Sequence, residues 1–433
     1  MMATMVRVVL MIVLLALPLR GASALPATTT AAGNPTIVVA IIATLSGPGA
    51  MAGQDSVDGF TTALRQMGGR FANQEVRVLV VDDHGSPDTA VQVTRRLLER
   101  EKVDFVLTAV SQAAMAAIIR PLLDAHIFVI NLDAVPPALA GPDCSPWLFE
   151  MGTPPDAIGE AAGAYFATEK FRRVAVVGPD SPATTAAVAA LKRTWTGEVV
   201  AVLRPRHGAV SYETEIAQLR DLAPDAVYTV LTGGMGLAFV RDYAASGLKP
   251  DLPLIGAWTG FERPSLTAMA DQGLDILNVA PWSPDLDTPL NKRMIFDFEL
   301  EYGRPATSWV AHGYDAALLL ESTMKSTAGR TGDRDAMRHG LRRAEFASVR
   351  GGFRFDSNHM PSVTLYLRRV THDAKGRLSE ELRGVLLKDW HSREVAQCPM
   401  RWVEEPVVVP PKPGAPAAAP KPGTAKPPVK KPQ

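Results

Sequence analysis

Apolar runs of strand length alternate with amphipathic helical stretches from Ile37 onward, and near residue 154 the alternation begins again. The first run, Ile37-Val38-Val39-Ala40-Ile41-Ile42-Ala43, meets Ser46-Gly47-Pro48-Gly49 and then a stretch carrying Val57, Phe60, Leu64 and Met67 at helical spacing, which Gly68-Gly69 stops. Strands at 76–81, 104–107 and 127–130 follow, with a helix over 87–102 that turns Val91, Leu97 and Leu98 inward. Strands apolar on both sides, joined by crossover helices, require a parallel sheet covered on both faces. The second unit repeats the period but not the sequence. It has strands at 173–178, 198–202, 226–230 and 252–255 and helices ending near Trp195 and spanning 212–222 and 235–246.

Beyond Pro281 three helical stretches, 290–302, 309–324 and 333–343, have no strands of their own and should return to cover the first unit. Gly351-Gly352-Phe353-Arg354-Phe355-Asp356 and hairpin-like strands at 363–369 and 381–387 then cross back to the second. The expected fold is α/β, two doubly wound parallel-sheet lobes joined by a three-crossing hinge. Lobe I takes 36–150 and 283–352, and lobe II takes 153–279 and 355–395. With 433 residues, 47% of them hydrophobic, the chain can bury two cores of ordinary domain size.

The ends carry different signals. Arg7, an apolar segment over 8–19 and Ala22-Ser23-Ala24 read as a secretory signal over 1–24, cleaved near Ala24. Its apolar part is shorter than the roughly 20 residues that span a bilayer. Residues 406–433 are dominated by Pro, Ala and Lys and read as a disordered, extended tail. Lys plus Arg and Asp plus Glu balance at 45 each, so no net field favours nucleic acid, and a small-molecule partner and a monomer are expected. In an oxidising compartment Cys144 and Cys398 are either a disulfide tying the C-terminal extension to the first half or two unpaired thiols.

Enzymatic readings find little support. Gly47, Gly49 and Gly53 after a strand, with Asp82 ending the next, imitate an NAD-dependent oxidoreductase, but Pro48 removes an amide that a phosphate cradle would use. The sequence has no Gly-x-Ser-x-Gly elbow and no His-x-x-x-His pair, and Asp82-Asp83-His84 reads as turn chemistry. No catalytic residue, metal or cofactor is expected.

Across roughly residues 36–388 the chain resembles the bacterial periplasmic leucine/isoleucine/valine-binding proteins, the receptors of ABC importers. The match rests on Ser46-Gly47-Pro48 with Gly53-Gln54, Asp82-Asp83 with Pro87 and Ala90, and Lys102-Val103-Asp104. Ser111, Tyr314-Asp315-Ala316 and the Gly351-to-Asp356 motif also match. The resemblance implies the type I periplasmic-binding fold, periplasmic capture of a solute by lobe closure without a cofactor, and delivery to an ABC permease. A sensor delivering its signal to a membrane receptor is the alternative role.

The departures from that family bear on the ligand. Ala52 stands where relatives place an aromatic, Val135 where a threonine binds the α-carboxylate, and Ala183 and Thr232 about where relatives place two tyrosines. Trp258 falls where a glutamate pairs with the α-ammonium, with Glu262 as a nearby substitute. An ammonium buried without a carboxylate partner costs several kcal/mol, so a hydrophobic or aromatic solute is expected rather than free leucine. The expected ligand set is Ser111, Asp133, Ala134, Val135, Thr232, Trp258 and Tyr314. Within it, Ser111 with helix-start amides would suit an acid, and Asp133 with the Trp258 face would suit an amine.

Overall fold

The computed structural model describes residues 36–47 and 49–401, so the expected signal segment and the tail lie outside the described residues. Two sheets organise the rest. The first has the order β2-β3-β1-β4-β5-β6. It is formed by β1 (Ile37–Ala43), β2 (Arg70–Phe71), β3 (Gln74–Asp82), β4 (Phe105–Ala109), β5 (Phe128–Asn131) and β6 (Leu148–Glu150). β1 runs parallel to both neighbours, Ile37 opposite Val76 and Val39 opposite Phe105. Its run is apolar throughout because both faces are covered. Ile37, Val39 and Ile41 enter one core with Phe60, while Ala40 and Ile42 enter another with Ile118 and Leu122. The covering helices begin with α1 (Ala50–Gln66), α2 (Pro87–Arg100), α3 (Gln112–Asp124) and the short α4 (Pro137–Ala140). α2 starts where Ser86 accepts a hydrogen bond from the Thr89 amide and Pro87 presets the first turn.

The second sheet repeats the logic in the order β12-β13-β11-β10-β9-β7-β8, with β14 on β13. Its parallel part is β7 (Arg173–Val177), β8 (Glu198–Leu203), β9 (Ala226–Thr229), β10 (Leu254–Ala257) and β11 (Leu277–Ala280). Val174 and Val176 face a core built with α5 (Pro155–Thr168) and α6 (Pro182–Thr194). Ala175 and Val177 face another built with α7 (Glu213–Leu222), α8 (Gly233–Ala245) and α9 (Arg263–Met269). β12 (Arg354–Phe355), β13 (Pro361–His372) and β14 (Leu378–Trp390) close one edge antiparallel.

α10 (Pro289–Tyr302), α11 (Ser308–Ser326) and α12 (Arg334–Arg343) return to the first sheet, where Met294, Phe298, Val310, Met337 and Leu341 join its core. Glycines let α1 and α11 touch backbone to backbone: a Cβ on Gly59 would lie 2.2 Å from the Val310 carbonyl oxygen, and one on Gly313 1.9 Å from that of Ser56.

Beyond the three expected crossings the chain makes a fourth. Trp390 belongs to the second lobe's core, yet residues 391–398 run back to the first lobe, where Cys398 is disulfide-bonded to Cys144 with their Cα atoms 5.7 Å apart. Four short strands, β2, β6, β11 and β12, were not read from the sequence. Each has only two to four residues, too few to show a period.

Candidate functional site

The loops that follow the parallel strands bring the two lobes together. Trp258, directly after β10, lies with its ring 4.7 Å from that of Trp309 on the first turn of α11 and 6.0 Å from the His312 ring. Met51 and Ala52 of α1 pack against the same second-lobe core. His312 fastens this junction. Its Nδ1 donates to the Leu132 carbonyl at 3.1 Å, which leaves Nε2 to accept from the Thr153 hydroxyl at 3.1 Å. Burial, with the Arg350 charge adding to it, holds its pKa well below the usual histidine value, so the ring is neutral.

Between the lobes lies a cavity of about 440 Å³. The first lobe supplies Gln112, Val135, Pro137, Ala140 and Glu150, and the second supplies Asp156, Pro182, Ala183 and Ala186. Met360, Trp390, Ser392 and Glu394 complete the wall from the returning chain. Trp390 is oriented by its Nε1, which donates to Glu160 Oε2 at 2.8 Å, and its ring forms part of the lining.

The expected ligand residues occupy several places. Val135 lines the cavity and is 8% exposed. Ser111 is exposed at the start of α3, one residue before Gln112, and its hydroxyl accepts from the Ala114 amide at 3.2 Å. Asp133 and Ala134 are half-buried in the loop after β5, where Asp133 Oδ1 accepts from the Ala134 amide at 2.8 Å. Burial pushes the Asp133 carboxyl up, and no ion pair to it is found among the described residues. Thr232 begins α8, exposed, at a separate hollow of about 430 Å³ with Gly234, Met235 and His207. Trp258 is 4% exposed. Tyr314 lies in the first lobe's core, its hydroxyl donating to Gln66.

Glu262, the alternative partner for an ammonium, is fully buried and already occupied. It accepts from the Ser308 hydroxyl at 2.7 Å and amide at 3.2 Å, and Arg368 lies 3.3 Å away. Asp82 accepts from the Leu45 and His84 amides and the Ser46 hydroxyl, which is turn chemistry. No group of three or more metal-ligating side chains occurs among the described residues.

Gln112, Met360, Trp390, Ser392 and Glu394 were not anticipated. Gln112 directly follows Ser111, and Trp390, like Trp258, is an aromatic ending a strand; the other three carry no sequence signal, because the returning chain brings them to the cleft.

Residues 36–377 match the family described as Periplasmic binding protein. No curated protein matches the sequence. Among solved structures, the solute binding protein of an ABC transporter from R. palustris, in complex with benzoate, is 25% identical; the match covers 83% of this chain and 99% of that one with a TM-score of 0.74. An ABC transporter substrate-binding protein from Sphaerobacter thermophilus is similar in fold at 24% identity, covering 82% and 98%, with a TM-score of 0.77. The leucine binding protein of Thermotoga maritima shares the fold at 17% identity, covering 81% and 98%, with a TM-score of 0.69. Two parallel-sheet lobes meeting at their loop ends, joined by returning crossings and matched over most of the described chain, identify the protein as a member of the periplasmic binding protein family.

Proposed function

We propose that this protein is the solute receptor of an ABC importer and that it captures a small apolar or aromatic compound by closing its lobes. The observation that carries this reading is the cavity walled by Val135 and Ala140 from one lobe, Ala183 and Ala186 from the other, and Trp390 between them. A ligand shifts an open–closed equilibrium only by its extra affinity for the closed form, so a site shared by both lobes is what closure requires. The resemblance to a benzoate-bound solute binding protein supports an aromatic class of solute. Val135 lines the cavity where the family's carboxylate-binding threonine is expected, and no Lys, Arg or His joins the lining, which argues against free leucine with its α-carboxylate. Export to the periplasm and docking of the closed form on a membrane permease belong to the same proposal.

The test is thermal denaturation of the protein, stripped of any co-purified ligand, against branched-chain amino acids, aromatic acids, amides, alcohols and amines. A compound at 100 times its dissociation constant adds about 2.7 kcal/mol to the folded state, which is readily measured. Stabilisation by aromatic or apolar compounds is expected. Stabilisation by leucine or valine alone would restore the ordinary amino-acid ligand and overturn the proposal.

A further inference from the structure

The charges around the inter-lobe cavity are one-sided. Its lining includes three carboxyl groups, Glu150, Asp156 and Glu394, and no Lys, Arg or His. Two of the three are accounted for within the protein. Asp156 is paired with Arg193, which also reaches Glu160 behind the wall. Glu150 is buried, its Oε2 accepting from Asn131 at 2.8 Å, and burial raises its pKa well above the usual carboxylate value. Arg393, next to Glu394 in the chain, is turned to Glu160. Glu394 is half-buried, accepts only from the Ser392 hydroxyl at 2.6 Å, and takes part in no ion pair among the described residues. It shares the lining with the Trp390 ring, whose N–H is spent on Glu160.

Resting on the capture reading above, we infer that the cavity takes an apolar organic amine, its ammonium held between the Glu394 carboxylate and the Trp390 ring and its apolar body against Val135 and Met360. An aromatic face and an adjacent carboxylate both favour a cation. A ligand carboxylate would meet like charge at Glu394 and find no cationic side chain in the lining, so it would be buried unpaired.

Binding of benzylamine, benzyl alcohol and benzoate, three compounds of one shape and different charge, is measured calorimetrically on the ligand-free protein at pH 7.5. Benzylamine is expected to bind at least tenfold more tightly than either of the others. Glu394→Gln should weaken benzylamine about tenfold and leave benzyl alcohol unchanged, and Glu394→Asp should restore much of the loss. Tighter binding of benzoate than of benzylamine would overturn the amine assignment while leaving the capture reading in place. An equal loss for benzylamine and benzyl alcohol in Glu394→Gln would overturn the role of Glu394. If none of the three binds, the amine assignment fails, and the wider ligand panel decides the capture reading separately.

Discussion

His312, held neutral by burial, joins the loop after β5, the first crossing and α11 through two hydrogen bonds. In the unfolded chain the same imidazole takes up a proton near pH 6.5. Below that pH the unfolded state therefore binds more protons than the folded one, and stability present above pH 6.5 is lost as the pH falls, by about 1.4 kcal/mol per unit for a fully buried group. His359, pushed down to about 3 by burial, acts in the same direction. Asp55, raised to about 6 by burial, acts oppositely: between pH 6 and 4 its folded form binds the extra proton. The His312 contribution is thus read as a difference from His312→Gln. The variant should be less stable at pH 7.5, and its chemical denaturation should show a shallower loss between pH 6.5 and 4. Parallel curves would mean that His312 is not held neutral. Trp258 behaves similarly as a packed residue. Its truncation to alanine should cost about 3–5 kcal/mol through the cavity left beside Trp309, measured by urea unfolding. An unchanged unfolding midpoint with loss of ligand would place its ring in the binding wall instead.

Among the elements, α11 is one that joins the lobes. Its first turn is received by Glu262, and Glu262 and Glu380 share the guanidinium of Arg368 on β13, all three buried. Arg368 also donates to the Asn278 side chain on β11 and to the Trp282 carbonyl. Removing one partner of such a group is more damaging than the net worth of the group, because the remaining charges stay buried without compensation. Arg368→Met should therefore destabilise by about 3–5 kcal/mol in urea, while Arg369→Met, on a half-exposed ion pair one residue away, should cost about 1 kcal/mol or less. Similar losses for the two would show that burial of Arg368 does not set its importance. Much of this framework was legible in the sequence, since continuous apolar runs such as Ile37 to Ala43 and 173–178 state that both sheet faces are covered. Less legible were elements too short to carry a period and groups whose role depends on distant partners. Glu262 reads in sequence as a candidate ligand residue, and only the arrival of Ser308 and Arg368 shows that it is spent. Trp390 and Glu394 reach the cleft only because β14 ends there.

For the whole molecule, the disulfide changes what lobe closure can mean. Trp390 is anchored in the second core and Cys398 is bonded to the first lobe, so residues 391–398 link the lobes covalently while contributing Ser392 and Glu394 to the cavity wall. The link is part-wound as a 3-10 turn over Arg393–Gln397, which shortens its reach below the roughly 3.3–3.6 Å per residue of extended chain. Opening must therefore swing about the three crossings without exceeding the span of this fourth one. Reduction with a thiol, or Cys144→Ser, removes the limit at two levels. Freeing a cross-link that closes 254 residues lowers stability by up to about 5 kcal/mol on the loop-entropy account. It should also let the ligand-free protein populate wider openings, seen as a larger radius of gyration in solution scattering. Because apparent affinity scales with the fraction of molecules competent to bind, the reduced protein should then bind its solute more weakly, and the ligand-bound forms should scatter alike. Lower stability with unchanged scattering and affinity would mean that the disulfide staples the C-terminal segment in place without restraining the lobes.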